Sequence, residues 1–213
     1  MSMSQSSPPE LKQIAENGFA VAIPCLDLPA ICELSSVLDT SHAGERNLLD
    51  VPVVRRLARS SAVRQLIEPV LGSNCFAVRG IFFNKADGAN WKVAWHQDCV
   101  IAVAMRSEIS GWGPWSIKAG VHHVLPTSAL MSRVLAIRIH LDECGADNGP
   151  LRVIPGSHGR GFLSDKQIQE WPKDAAVTCR ASRGDAILMR PLLLHSSPQA
   201  KVPSRRSSTS SGV

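Results

Sequence analysis

His96-Gln97-Asp98 and the distant His195, in Leu192-Leu193-Leu194-His195-Ser196-Ser197, are the residues whose types and spacing could do chemistry. On an extended segment alternate side chains share a face, so His96 and Asp98 point one way and Gln97 the other. One further imidazole gives two histidines and a carboxylate, a set that covers one side of an octahedron and leaves about three positions open. That is the facial arrangement of non-haem ferrous oxygenases. The plain alternatives are a surface-turn histidine beside a capping aspartate, and a hydrogen-bonded core histidine closing a strand. The same donor types serve zinc hydrolases. Those also need a general base close by, and no motif here supplies one.

Two kinds of segment must position these donors. Helices fill the first third: Leu11 to Asn17 closed by Gly18, Asp27 capping a helix to about Leu38, then Val53 to Ala58 and Ala62 to Leu71. A short strand, Phe19 to Ile23, interrupts them. From Cys75 the pattern becomes β. Val78, Gly80, Phe82 and Asn84 alternate with Arg79, Ile81, Phe83 and Lys85. Strand patterns recur at Val93–His96, Val100–Ala104, Val134–Leu141, Leu151–Ile154, Ala176–Cys179 and Ala186–His195, with Gly/Pro/Asn turns between them. Helices followed by many short strands predict a mainly β protein with flanking helices, a jelly-roll barrel under a helical layer.

The expected organisation is a disordered lead-in over 1–10, one domain over 11–203, and a Ser-rich disordered tail over 204–213. Within the domain we expect a helical layer over about 11–72, a β-roll over about 75–203 and a lid loop over about 106–127. The tail, Ser204 to Val213, is expected to build no strand.

A chain of 213 residues and 23.0 kDa fits one domain with a real core. No apolar run approaches the roughly 18 residues of a membrane span, and the polar start is not a secretory signal. Six scattered cysteines without CxxC pairing suit reduced, mostly buried thiols in an intracellular, cytoplasmic protein. The net charge of +5 is spread along the chain, no nucleic-acid motif accompanies it, and tyrosine is absent. The basicity therefore fits an anionic small-molecule substrate better than nucleic acid.

Three blocks carry a resemblance: Trp91 to Asp98 (WKVAWHQD), Asn148 to His158 (NGPLRVIPGSH) and Met189 to Ser197 (MRPLLLHSS). In order and approximate spacing they resemble the phytanoyl-CoA dioxygenase family of iron- and 2-oxoglutarate-dependent oxygenases. The resemblance runs from about Phe19 to Arg206. It implies a double-stranded β-helix of the cupin kind, with Fe(II) held by His96, Asp98 and His195, and 2-oxoglutarate and O2 as cosubstrates. It assigns no catalytic residue beyond these ligands. By the same resemblance Arg206, or its neighbour Arg205, holds the far carboxylate of 2-oxoglutarate, and Ser197 is a second contact. A planar guanidinium suits that task because it grips a carboxylate through two parallel bonds. A retained Asp98 implies hydroxylation rather than halogenation.

One departure sets up a second expectation. Related sequences follow that arginine with an apolar strand, whereas Arg206 leads here into Ser207-Ser208-Thr209-Ser210-Ser211. A chain lacking its final strand would be a catalytically inactive, truncated member that binds a small acid or a partner. Among the other histidines, His158 is expected to brace a turn and His123 to meet substrate from the lid.

Overall fold

The computed structural model describes residues 9–38, 44–85, 90–201 and 208–212. Helix α1 (Pro9–Glu16) leads into β1 (Phe19–Pro24), then α2 (Leu28–Val37), β2 (Gly44–Glu45), α3 (Pro52–Ala58) and α4 (Ser61–Leu71). The strands follow as β3 (Arg79–Phe83), β4 (Val93–His96), β5 (Ile101–Val103), β6 (Trp115–Lys118) and β7 (Val121–Val124). After α5 (Ser128–Met131) come β8 (Ala136–His140), β9 (Leu151–Val153), α6 (Asp165–Glu170), β10 (Val177–Cys179), β11 (Asp185–Met189), β12 (His195–Ser197) and β13 (Ser208–Gly212).

Local signals explain the helical layer. Asp27 accepts from the amide of Ala30 at 3.0 Å and starts α2, and Ser60 caps α4 through the amide of Val63. Gly18 (φ +86°) turns the chain from α1 into β1 so closely that a Cβ there would lie 2.5 Å from Nδ1 of His158. The turn-bracing role expected for His158 is thus a packing role.

Two sheets form the roll. The six-stranded sheet runs β1-β11-β8-β13-β3-β2, and the four-stranded sheet runs β10-β9-β12-β4. Period-two alternation sends each residue of the larger sheet to one of two cores. Phe82, Ile137, Ile139, Ala186 and Leu188 face outward and pack on Ile14, Ile31, Leu34, Val63 and Ile67 of the helices. Ala136, Ile187 and Met189 face inward and meet Leu151, Val153 and Leu193. Burying each of the larger apolar side chains contributes about 1.5–3 kcal/mol, so the outer core anchors the sheet that must hold the interior open. This is the mainly β, cupin-like double-stranded β-helix.

Several boundaries differ from the sequence expectation. The continuous strand expected over Ala186–His195 is two strands joined by a turn, because Pro191 has no N–H for a ladder and the amide of Leu193 returns to the carbonyl of Arg190 at 2.9 Å. That turn carries the chain from the larger sheet to the smaller. The 106–127 segment is not one irregular lid. Its second half is the β6–β7 hairpin, paired with β5 and turned at Ala119-Gly120, both at positive φ. Pro9 and Glu10 open α1 rather than belonging to a lead-in. The cysteines are free, as expected, but only Cys144 and Cys179 are buried, and Cys32 is exposed.

The largest correction concerns the C-terminal segment. Ser208–Gly212 forms a central strand, pairing antiparallel with β3 and with β8, Ser210 standing between Ile81 and Arg138. Backbone hydrogen bonding supplies the reason: two facing edges offer donors and acceptors on both sides, and a ladder does not require apolar side chains. The expectation of a tail without a strand is therefore overturned, and with it the motive for an inactive reading. Arg205 and Arg206 lie outside the described residues.

Ser210→Pro removes a ladder donor from the middle of the sheet and should lower stability by about 2 kcal/mol or more, read as a drop in thermal midpoint. Ser210→Val should be tolerated. Equal midpoints for the proline variant and the parent would contradict a central β13.

Candidate metal centre

The site begins with a strand register. Strands β12 and β4 are antiparallel neighbours, and His195 stands directly opposite His96. Their rings lie 4.2 Å apart between centroids and are tilted by 50°. Just past the end of β4, Asp98 is held by its amide, which donates to the carbonyl of Pro191 at 2.9 Å. The carboxylate then faces both rings, at 4.0 Å from Nε2 of His96 and 3.8 Å from Nε2 of His195. The three donor atoms lie within 4.8 Å of one another. Ligand bonds of about 2.1 Å put adjacent donors about 3 Å apart, so a closure of about 1–2 Å would bring the three to the spacing of ligands on one face of a metal ion.

Tautomers follow from the partners. Nδ1 of His96 meets the carbonyl of Ala94 at 2.8 Å, and Nδ1 of His195 meets the carbonyl of Leu193 at 2.8 Å. A carbonyl only accepts, so each Nδ1 carries the hydrogen, and in the neutral ring each Nε2 presents a lone pair toward Asp98. Burial, above all, pushes His195 down to about 4, against the pull of the Asp98 charge and with some help from His96. For Asp98, burial alone would raise the pKa. The opposing fields of His195, Arg79, His96 and Arg138 outweigh it and hold the carboxyl below its ordinary value. Both settings favour the ligating forms, a neutral imidazole and an ionised carboxylate.

Neighbouring residues fix the frame. Gln97, buried on the opposite face, donates to the carbonyls of Leu192 at 2.6 Å and Gly161 at 2.9 Å and accepts from the amide of Leu163 at 2.8 Å. Ser157 accepts from the amide of Leu194 at 2.8 Å and donates to the carbonyl of Ile154 at 2.7 Å, locking the residue before His195. The sequence placed Gln97 away from the donors but did not reveal that it clamps two loops. Its signal was a polar residue between two like-facing donors, on a side that had to be buried.

The donors open onto a cavity of about 210 Å³ between the sheets. A larger space of about 410 Å³ lies between α2 and α3, but no histidine lines it and its charged groups include the exposed Arg56–Glu33 pair. Donor chemistry rather than volume picks the site. Asp98 is the one acidic residue among the described residues lining the donor cavity, so nothing there provides the separate general base of a zinc hydrolase.

The cavity wall also includes Lys85, Trp91, Arg138, Ser196 and Ser197. Lys85 is 4% exposed, and its Nζ donates to Oγ of Ser197 at 2.5 Å and to the carbonyl of Pro198 at 2.6 Å. Oγ of Ser197 donates to the carbonyl of Gly149 at 2.7 Å. Arg138, on β8, lies with its guanidinium carbon 5.8 Å from the Phe83 ring centre, and its Nε is buried with no hydrogen-bond partner among the described residues. Burial draws the pKa of that guanidinium down. Lys85 escaped the sequence reading, although it shares the alternating set of Arg79, Ile81 and Phe83. His123 lies on β7, 3% exposed, at the rim of an adjoining cleft.

Comparisons with known proteins place this geometry. No curated protein matches the chain in sequence. In fold it is similar to EvdMO1, with TM-score 0.68 and 19% identity over 95% of this chain and 48% of that one, about half of EvdMO1's length. It is similar to the epimerase SnoN from nogalamycin biosynthesis, in complex with Fe3+, alpha ketoglutarate and nogalamycin RO, with TM-score 0.69 and 18% identity over 95% of this chain and 81% of that one. It is also similar to EctD from S. alaskensis with 2-oxoglutarate and 5-hydroxyectoine, with TM-score 0.69 and 17% identity over all of this chain (100%) and 78% of that one. These likenesses establish the fold. A family profile, phytanoyl-CoA dioxygenase (PhyH), matches residues 37–208. The chain belongs to the phytanoyl-CoA dioxygenase family, whose members are iron- and 2-oxoglutarate-dependent oxygenases.

Proposed function

We propose that this protein hydroxylates a small molecule as an Fe(II)- and 2-oxoglutarate-dependent dioxygenase, with His96, Asp98 and His195 as the iron ligands. The observation that supports this most is the convergence of three donors, two of them with Nδ1 tied to main-chain carbonyls, on the wall of one cavity. Two imidazoles and one carboxylate suit ferrous iron and leave the cavity side for other ligands. When bound, iron with 2-oxoglutarate and O2 supplies oxidative decarboxylation to succinate and CO2 coupled to oxygen insertion into a C–H bond. The presence of Asp98 keeps a carboxylate where a halide would otherwise sit, which favours hydroxylation.

The interior cations fit a dicarboxylate cosubstrate. The unpartnered Nε of Arg138 and the positive charge of Lys85 beside Ser197 form a basic pocket away from bulk water. A carboxylate there would gain charge-assisted hydrogen bonds that water does not weaken. We assign Ser197, Lys85 and Arg138 to the far carboxylate, together with Arg206 or Arg205 as the family pattern implies. Gln97 is a positioning residue. It touches no donor, yet it holds the 161–163 and 192 segments against the strand that carries His96 and Asp98.

Anaerobic addition of 2-oxoglutarate to the Fe(II) form should raise the weak visible charge-transfer band of the chelate, and His96→Ala, Asp98→Ala or His195→Ala should abolish it together with iron binding. A variant that retains band and turnover removes the assignment. Gln97→Ala should cost about 2–4 kcal/mol, since it strands two carbonyls and an amide, and weaken metal affinity by about 10-fold or more through loosened ligand orientation; Gln97→Glu should restore only part of the loss. Thermal melts and metal titration together read this, and lost stability with unchanged affinity would refute a positioning role.

The depressed His195 gives a pH signature. In the unfolded chain an ordinary histidine near 6.5 protonates first as pH falls, whereas the native ring resists until about 4. The unfolded state therefore binds more protons across that window, and native stability falls as pH drops through it. Above about 6.5 there is no such penalty. The thermal midpoint of metal-free protein should decline between pH 6.5 and 5, and His195→Gln should flatten the decline; an unchanged slope in that variant counts against it.

A further inference from the structure

We propose that the primary substrate carries an anionic group, carboxylate or phosphate, which seats in a cradle of Arg79, Arg46 and Lys118 at the mouth of the donor cavity. This rests on the oxygenase reading and names the substrate class of that site. Among the described residues, the cavity wall holds five cationic side chains, Arg46, Arg79, Lys85, Lys118 and Arg138, against one carboxylate, Asp98. A divalent metal adds two positive charges and a dianionic cosubstrate removes two, so the excess persists in the loaded site.

The five divide by place. Lys85 and Arg138 are interior. Arg79 stands at the start of β3, Arg46 just after β2 and Lys118 at the end of β6, so three separate segments bring their charges together. Arg46 and Arg79 also line the adjoining cleft of about 140 Å³, which makes the two spaces neighbours across a shared rim. His123 reports the same convergence. Burial lowers its basicity most, its own bond to the Val121 carbonyl opposes that, and Arg79, Lys118 and Arg46 each depress it further.

Several cations elsewhere on the surface find carboxylates, among them Arg56 with Glu33, Arg64 with Glu68, Arg106 with Glu108, and Lys201 with Asp147; what sets the mouth apart is three cations from separate segments lining one cavity. Among the described residues, Arg79, Arg46 and Lys118 have neither an ion pair nor a side-chain hydrogen bond. Like charges held together repel unless an anion sits between them. The mouth is where a substrate must rest to present a C–H bond inward.

The test uses inorganic phosphate and acetate as separate probes, titrated calorimetrically into the metal-free full chain with KCl holding ionic strength constant. Saturable binding of either anion is expected, and the tighter of the two tells phosphate from carboxylate. Arg46→Gln/Lys118→Gln should weaken it by about tenfold or more, through the loss of two charge-assisted contacts. Lys118→Gln alone, at an exposed position, should give a smaller loss with an unchanged thermal midpoint. In parallel, the 2-oxoglutarate midpoint of the anaerobic Fe(II) band should be the same in parent and double variant. Failure of both anions to saturate, or equal binding by parent and double variant, overturns the cradle. So does a double variant whose 2-oxoglutarate midpoint rises tenfold, because the cations would then serve the cosubstrate. A parent that binds anion but never shows the band keeps the cradle and sinks the oxygenase reading instead.

Discussion

The pairing of His195 with His96 across β12 and β4 is the constraint on which the rest of the site depends. Side chains alternate along a strand, so a slip of one residue in that register would turn one imidazole out of the cavity. Three features guard against such a slip. Ser157 and the Ile154 amide hold Leu194 from one side. Asp98 is tied by its amide to Pro191, and Gln97 bonds to Leu192 and the Gly161–Leu163 loop. Most of these contacts are to backbone, and all of them lie within a residue or two of a donor.

The larger sheet makes a different contribution. Its outer face is anchored by the helices, which leaves the inner face free to carry groups that a packed core would reject. Arg138 is the clearest instance. An interior guanidinium with an unsatisfied nitrogen costs stability, and the apolar packing of Ile137 and Ile139 on the helical layer, on either side of it along β8, offsets that cost. Cations inside and at the mouth set a positive field around a centre whose own donors bring a single negative charge.

Much of this was legible in the chain. The two-residue spacing of His96 and Asp98 gave the shared face, and the alternation from Val78 to Lys85 gave two faces of β3, although only packing shows which of them lines the cavity. The helix cap at Asp27 and the stop at Gly18 follow from backbone physics that any sequence displays. Other features are set by tertiary structure and leave little local trace. Ser208–Gly212 has poor strand propensity, and it is a strand because two edges wait on either side of it. The break between β11 and β12 hides inside an apolar run, where only Pro191 hints at it. Val121-His122-His123 reads as loop until the turn at Ala119-Gly120 folds it onto Trp115–Lys118. Gln97 bonds to Gly161, Leu163 and Leu192, and Ser157 reaches Leu194, across distances in the chain that no spacing rule encodes.

The orienting acceptors of both imidazoles are main-chain carbonyls, those of Ala94 and Leu193, each two residues upstream on the same stretch of chain. A side-chain acceptor can be deleted by a single codon change, but a peptide oxygen cannot. The aim of the two rings is therefore inherited with the strand path itself. The side chains at positions 94 and 193 are free to drift over evolutionary time within what packing allows, while the ring geometry stays fixed.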